Sequence, residues 1–93
     1  GLAEDAISLE NGAVELSARV HVDEINEQLG LDLPEEDEFD TIGGFVSMQL
    51  GRIPQVGEQV QWKQTTVTVL EASKSRIQRI RIELPADSER ETS

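Results

Sequence analysis

Two adjacent glycines inside a short apolar helix pattern place the tightest limit on how this chain can fold. Asp40 is a good N-cap for a predicted helix from Thr41 to about Leu50. Gly43 and Gly44 each weaken such a helix by roughly 1 kcal/mol relative to alanine. Their adjacency predicts that something packs very close to the helix backbone there. Gly51 is expected to end the helix. The apolar residues of the pattern share one helix face: Ile42, Phe45, Val46 and Leu50.

The N-terminal part of the chain has the alternating pattern of a β-hairpin. Asn11-Gly12 can adopt the two positive φ angles of a type I′ turn. A two-residue turn at this point pairs Leu9 with Val14, and Ile7 with Leu16. All four side chains would then lie on one face of the hairpin, so the register agrees with the hydrophobic pattern.

The remaining periodic segments predict one more helix and about three strands. A helix is expected at Val22, Ile25 and Leu29, with Gly30 just after its end. The strand pattern continues in the C-terminal half, where Leu70 and Ile77 interrupt the alternation and indicate a bulge or a sheet covered on both faces. The fold class is therefore α+β: an N-terminal β-hairpin, two short helices, then about three antiparallel strands. The alternating strand residues are Val60, Trp62, Val67, Val69, Ile80, Ile82 and Leu84.

Length and composition limit the chain to one domain with a modest core. In 93 residues, the apolar residues concentrate between positions 6 and 84, which we interpret as the folded domain. The polar ends, residues 1–5 and 85–93, are expected to be disordered tails. No cysteine is present, which excludes disulfides, and no apolar run approaches the ~18 residues of a membrane span. The chain begins Gly-Leu-Ala without an initiator Met, which suggests a piece of a longer protein.

The net charge of −11 disfavours nucleic acid and anionic lipid surfaces as partners. One acidic run is a candidate metal site, because Mg²⁺ and Ca²⁺ prefer oxygen ligands. The run has neither the alternate spacing nor the central glycine of an EF-hand loop. A solvated loop that caps a helix is therefore the favoured interpretation, with weak divalent-cation binding as the alternative. The candidate ligands are Glu35, Glu36, Asp37, Glu38 and Asp40.

No other residues form a recognisable reactive group, so the sequence predicts neither an enzyme nor a cofactor site. His21 is the only histidine and has no cysteine with which to bind zinc. Gly43-Gly44 lies inside a helix and no Lys-Ser/Thr follows it, so it is not a phosphate-binding loop. Arg52 follows a helix C-terminus and is expected to pair with a carboxylate such as Glu58 or Asp40.

Four segments of the chain together resemble the CorC/HlyC transporter-associated domain, over roughly residues 6–84. They are residues 19–34, 40–44, 50–54 and 76–82. The turns at Lys63-Gln64 and Ser73-Lys74 depart from the family, which often has Asp-Gly there. The resemblance is carried most clearly by Asp40, Thr41, Gly43, Gly44, Gly51, Arg52 and Pro54.

The resemblance implies a compact α+β module related in fold to part of FAD-binding domains, without bound flavin. Such modules lie at the cytoplasmic C-terminus of membrane proteins, typically after a pair of CBS domains. Their parents are magnesium and cobalt efflux proteins, hemolysin-like proteins and some cation/proton antiporters. The implied partners are the CBS pair and the transmembrane region, with a homodimer through the parent also compatible. The family pattern contains no catalytic residues.

The resulting hypothesis is a non-enzymatic accessory domain that modulates ion transport. Its apolar and Arg52-bearing surfaces would dock on a neighbouring domain. One alternative is a cation-sensing module that uses the acidic run. Others are the same domain from an antiporter, and a small-ligand pocket near Gly43-Gly44 and Trp62.

Overall fold

Five antiparallel strands form one sheet in the order β1-β2-β5-β4-β3, which confirms the predicted α+β class. The computed structural model describes residues 6–8 and 12–84, so the two predicted tails lie outside the described residues. None of the described helices is long and apolar enough to cross a bilayer. The implied relation to FAD-binding folds stays a prediction. The elements are β1 (Ile7–Ser8), β2 (Ala13–Ser17), α1 (Val22–Leu29), α2 (Ile42–Leu50), β3 (Gln59–Trp62), β4 (Thr65–Ala72) and β5 (Ile77–Glu83).

The N-terminal hairpin forms, but its predicted register is wrong by one residue. Ile7 pairs with Glu15, and Ser8 pairs with Val14. A one-residue shift reverses the face of every side chain in a strand. Ile7 consequently lies away from the core, with 53% of its surface exposed.

The longer pairing of β2 with β5 explains this difference. Leu16 lies opposite Ile80, and Val14 lies opposite Ile82, over a ladder of five residue pairs. This ladder orients the core face of β2 without any help from β1, which has only two residues. Gly12 adopts a positive φ, of 81°, but the pairing of Ser8 with Val14 does not fit the predicted two-residue turn, which would place Leu9 opposite Val14. Residues 9–11, which include the predicted pairing of Leu9, lie outside the described residues.

Both predicted helices form, and both end at the expected glycine. Gly30 and Gly51 adopt left-handed φ angles of 67° and 74°, a conformation that glycine reaches without steric cost. The predicted N-cap of α2 is wrong: the capping residue is Thr41 and not Asp40. The Thr41 Oγ1 atom accepts a hydrogen bond of 3.1 Å from the Gly44 N–H. The carbonyl of Asp40 is instead the acceptor for the first N–H of α1.

Side chains of both helices and four strands meet in one apolar core on one face of the sheet. The alternation of the strands supplies one side of this core, and the apolar stripes of the helices supply the other. Trp62 is half-buried at its border, and its ring meets Phe45 edge-on at 6.1 Å. The fully buried core residues, each with 0% exposure, are Leu16, Ile25, Ile42, Phe45, Val46, Val67, Val69, Ile80 and Ile82.

The predicted bulge near Leu70 is present in the pairing of β4 with β5. Val69 pairs with Ile80, but the register has shifted at the next pair, Glu71 with Arg79. A second shift follows between Glu71 and Ala72, next to the turn that joins the two strands. In that turn the Ser73 N–H donates to the Arg76 carbonyl at 2.8 Å.

Candidate functional site

The first turns of the two helices are joined by a reciprocal backbone bridge. His21 and Thr41 are the N-caps of α1 and α2, and they pair as an isolated antiparallel bridge. The Val22 N–H donates to the Asp40 carbonyl at 2.8 Å, and the Ile42 N–H donates to the Val20 carbonyl at 2.9 Å. Each bond satisfies an N–H group that a helix start leaves without a partner inside the helix. We call this arrangement the helix junction.

Gly43 lies against the segment that follows β2. Its N–H donates to the Ala18 carbonyl at 2.9 Å. A Cβ atom at Gly43 would lie 2.9 Å from the Ala18 Cβ and 3.1 Å from the Ala18 carbonyl oxygen. This is closer than side-chain carbon atoms approach, so only glycine allows α2 to hydrogen-bond here.

Gly44 is limited by a different neighbour. A Cβ atom at Gly44 would lie 2.9 Å from the Phe39 Cβ and 3.3 Å from the Thr41 Oγ1. The prediction that something packs closely on the two glycines therefore has a specific answer. Residues of the domain itself pack against both glycines: Ala18 against Gly43, and Phe39 and Thr41 against Gly44.

The segment after α2 carries the predicted ion pair of Arg52. Its guanidinium donates to both carboxylate oxygens of Glu58, with an Nη1 to Oε2 distance of 2.8 Å. Of the two predicted partners, Glu58 is thus correct and Asp40 is wrong. The Gln55 N–H also donates to Glu58 at 2.6 Å. Hydrogen bonds from Arg52, and then from Gln55, lower the pKa of Glu58 from 4.5 to about 2. The same pairing raises the pKa of Arg52.

The acidic run forms an exposed loop held by one aromatic anchor. Phe39 is 8% exposed, and its ring lies 5.7 Å from that of Phe45. A small depression of about 100 Å³ includes His21 and several carboxylates of the loop in its lining. In the part of the chain that the structure describes, however, no three acidic, histidine or cysteine side chains come together as a metal site. The loop residues that line the depression are Glu35, Glu36, Phe39 and Asp40.

Two side chains hold this region to the domain through hydrogen bonds that no local sequence pattern predicts. The side-chain amide of Asn26 bonds both the N–H and the carbonyl of Leu33, at 2.9 Å each. The Trp62 Nε1 donates to the Asp32 carbonyl at 2.8 Å, across 30 residues of sequence. Both bonds tie the chain between the helices to the domain. The first contact spans seven positions and the second spans 30, and both involve irregular chain, so helix and strand periodicity could not reveal them.

The proposed small-ligand pocket near Gly43-Gly44 and Trp62 is not assembled as predicted. The depression beside the two glycines, of about 270 Å³, does not include Trp62 in its lining. The indole N–H is already used by Asp32.

Residues 7–86 match the protein family CorC_HlyC, which is described as "Transporter associated domain". Hemolysin C of Brachyspira hyodysenteriae is 34% identical over 80 residues. The match covers 86% of this chain and 30% of that protein. The chain thus spans less than a third of the length of this relative.

Two solved structures share the fold. The transporter associated domain CorC_HlyC from Nitrosomonas europaea superposes with a TM-score of 0.79 at 23% identity, covering 87% of this chain and 96% of that one. The corresponding domain of a Xylella fastidiosa hemolysin, in complex with Mg²⁺ and Mn²⁺, gives a TM-score of 0.74 at 24% identity. That match covers 86% of this chain and 96% of the other. At these identities the likeness establishes the common architecture.

Replacing Gly43 with alanine should destabilise the domain, although alanine is the better helix former. The new Cβ would collide with Ala18, and overpacking of this kind costs about 1–3 kcal/mol. Alanine returns only about 1 kcal/mol of helix propensity. Urea unfolding of Gly43→Ala should therefore show a net loss of up to about 2 kcal/mol. Gln49→Ala, at an exposed position of the same helix, is the control and should stay near wild type. A gain of about 1 kcal/mol for Gly43→Ala, the value for an unhindered helix position, would contradict the close contact.

The Arg52–Glu58 pair should make stability depend on pH in acid. Because the folded pKa of Glu58 is lowered to about 2 from 4.5, its contribution is complete above about pH 4.5. It is lost as the pH falls toward 2. The stability difference between wild type and Glu58→Gln, measured by urea unfolding, should therefore shrink between pH 5 and pH 2.5. The stability difference between wild type and Arg52→Gln should shrink in the same way. Gln28→Ala, on the exposed face of α1, should show the same dependence of stability on pH as wild type. A difference that is constant with pH would show that the pair does not form in solution.

Proposed function

Because the chain belongs to the CorC/HlyC transporter-associated domain family, we propose that it is a non-enzymatic accessory domain that modulates an ion transporter by docking. The family match over residues 7–86 is the observation that carries this proposal. The matching family is a transporter-associated domain and not a family of enzymes. The proposed site of action is the cytoplasmic face of the membrane, on the parent protein.

The distribution of exposed apolar side chains supports a docking role. Four large hydrophobic side chains are exposed in the described residues, and three of them lie between positions 48 and 56. Met48, Ile53 and Val56 are 45%, 38% and 62% exposed. Exposed apolar residues are ordinary when scattered, but a cluster marks an interaction surface. We call residues 48–58, which include Arg52, the exit segment.

The exit segment is also well ordered by its own contacts. Pro54 is fully buried, and the Arg52–Glu58 pair closes the loop around it. A preorganised loop loses little conformational freedom when a partner binds, so more of the contact energy remains for affinity. The proposed partners are the neighbouring domains of the parent, namely its CBS pair or its transmembrane region. A homodimer formed through the parent is part of the same proposal.

The parent that best fits the resemblance is a magnesium and cobalt efflux protein or a hemolysin-like protein. The hemolysin C relative, of which this chain covers 30%, supports a parent with further domains. The alternative parent is a cation/proton antiporter. A CBS pair upstream in the parent sequence favours the first, and about a dozen membrane spans favour the second.

Deletion of residues 6–84 from the full-length parent tests the docking function. We expect the ion flux, or its response to regulatory conditions, to change at equal protein abundance in the membrane. The change is expected because docking gives the domain different contacts in different transporter states. Flux in vesicles is the measurement, and Gln28→Ala in the intact parent is the control. An unchanged flux and an unchanged response would refute the proposal.

A cation-sensing role is the second candidate function. It is favoured by the Mg²⁺ and Mn²⁺ in the Xylella fastidiosa structure and by the acidic lining of the depression beside His21. Its proposed ligands are the acidic run: Glu35, Glu36, Asp37, Glu38 and Asp40.

Calorimetric titration of the 93-residue chain with Mg²⁺, Mn²⁺, Co²⁺ and Ca²⁺ separates the two functions. If docking is the function, millimolar metal should give no saturable heat and no shift in melting temperature. A saturable heat that disappears in Glu35→Gln/Glu36→Gln, but persists in Glu27→Gln, would instead establish cation sensing through the acidic loop.

A further inference from the structure

A groove lined by basic and apolar side chains crosses one end of the domain. Three adjoining depressions, of about 270, 480 and 200 Å³, share lining residues and so form one continuous surface. Ile53 lines two of them, and Arg76 also lines two. The surface runs from the end of β2, past the first turn of α2 and the exit segment, to the turn between β4 and β5. We name it the basic groove and define it by Arg19, Ile53, Val56, Lys74 and Arg76.

The charge of this groove is opposite to the charge of the chain. The sequence has 19 acidic and 8 basic residues, yet among the described residues no Asp or Glu lines any of the three depressions. Arg19, Lys74 and Arg76 are all exposed there. None of the three forms an ion pair with another described residue. By contrast, three other basic side chains form ion pairs within the domain: Arg52 with Glu58, Lys63 with Asp32, and Arg81 with Glu83.

Apolar side chains line the groove together with Arg19, Lys74 and Arg76. Ile53 and Val56 belong to the exit segment and line the depression that also contains Lys74. Cations around a concave apolar surface complement a segment in which carboxylates flank apolar side chains. Complementary charge of this kind sets the orientation and the rate of association, and the apolar contacts supply affinity.

We propose that the basic groove binds an acidic peptide segment with interspersed apolar side chains, contributed by another part of the parent polypeptide. The proposal rests on the docking function above and gives it a surface and a partner chemistry. A bilayer fits less well, because the surface is concave and a lipid surface is broad and flat. The bound segment would place its carboxylates near Arg19, Lys74 and Arg76, and its apolar side chains on Ile53 and Val56.

Site-directed photocrosslinking in the full-length parent tests this inference. Benzoylphenylalanine replaces Val56 in the groove, and in a separate control it replaces Gln61, an exposed residue of β3 outside the groove. We expect Val56→benzoylphenylalanine to crosslink to one segment of the parent with more Asp and Glu than Lys and Arg. Mass spectrometry identifies the segment. Its yield should fall as salt is raised, because exposed charges are screened.

A charge reversal shows whether the cations contribute. Arg19→Glu/Arg76→Glu should lower the Val56 crosslink by roughly tenfold, because like charges across an interface are strongly unfavourable. Gln28→Glu, an exposed added negative charge outside the groove, should leave it unchanged. Equal melting temperatures of the isolated variant chains show that the fold is kept.

Three outcomes would overturn the inference: a crosslink from Val56 to lipid, a crosslink to a neutral or basic segment, or no crosslink at all. The deletion of residues 6–84 distinguishes this failure from failure of the proposed function. If the deletion alters flux while Val56 makes no acidic contact, the domain docks through another surface. If the deletion alters nothing, the docking function itself fails.

Discussion

The reciprocal backbone bridge between His21 and Thr41 is the constraint on which the rest of this domain depends. It makes the starts of two helices neighbours and gives each a backbone acceptor from the other's flanking residue. A buried helix start without such partners would leave costly unsatisfied N–H groups. The close approach that the bridge requires accounts for Gly43, because any side chain there would separate α2 from Ala18.

The junction also organises the surfaces from which function is proposed. It places the acidic loop beside the start of α1. At the other end of α2, Gly51 ends the helix, Pro54 is buried and Arg52 pairs with Glu58, which holds the exit segment against the domain. Acidic side chains lie in the loop, while three cations that form no ion pair with another described residue line the groove beside the exit segment. This separation of charge gives an acidic domain one surface suited to an acidic partner.

Sequence reasoning succeeded where the deciding interactions are local. Apolar periodicity located both helices, and Gly30 and Gly51 marked their ends, since helix and turn geometry depend on residues within a few positions. It failed where a distant element decides. The pairing of β2 with β5 determines which face of β2 is buried, so the turn dipeptide Asn11-Gly12 did not determine the register of Ile7. The N-cap of α2 is Thr41 and not the predicted Asp40, whose carbonyl accepts a hydrogen bond from the Val22 N–H of the distant α1.

Fold class, the helices and strands and the family could be predicted from the sequence, because they follow from periodicity and from short motifs. A nearby carboxylate partner for Arg52 could be predicted as well. What packs on the two glycines could not, because Ala18 is distant from Gly43 in sequence and meets it only in the folded domain. Likewise, the basic groove joins residues from four separate segments. The positive charge of the groove cannot be read from the net charge of −11, because a net charge is summed over the whole chain and does not show which charged residues folding brings together.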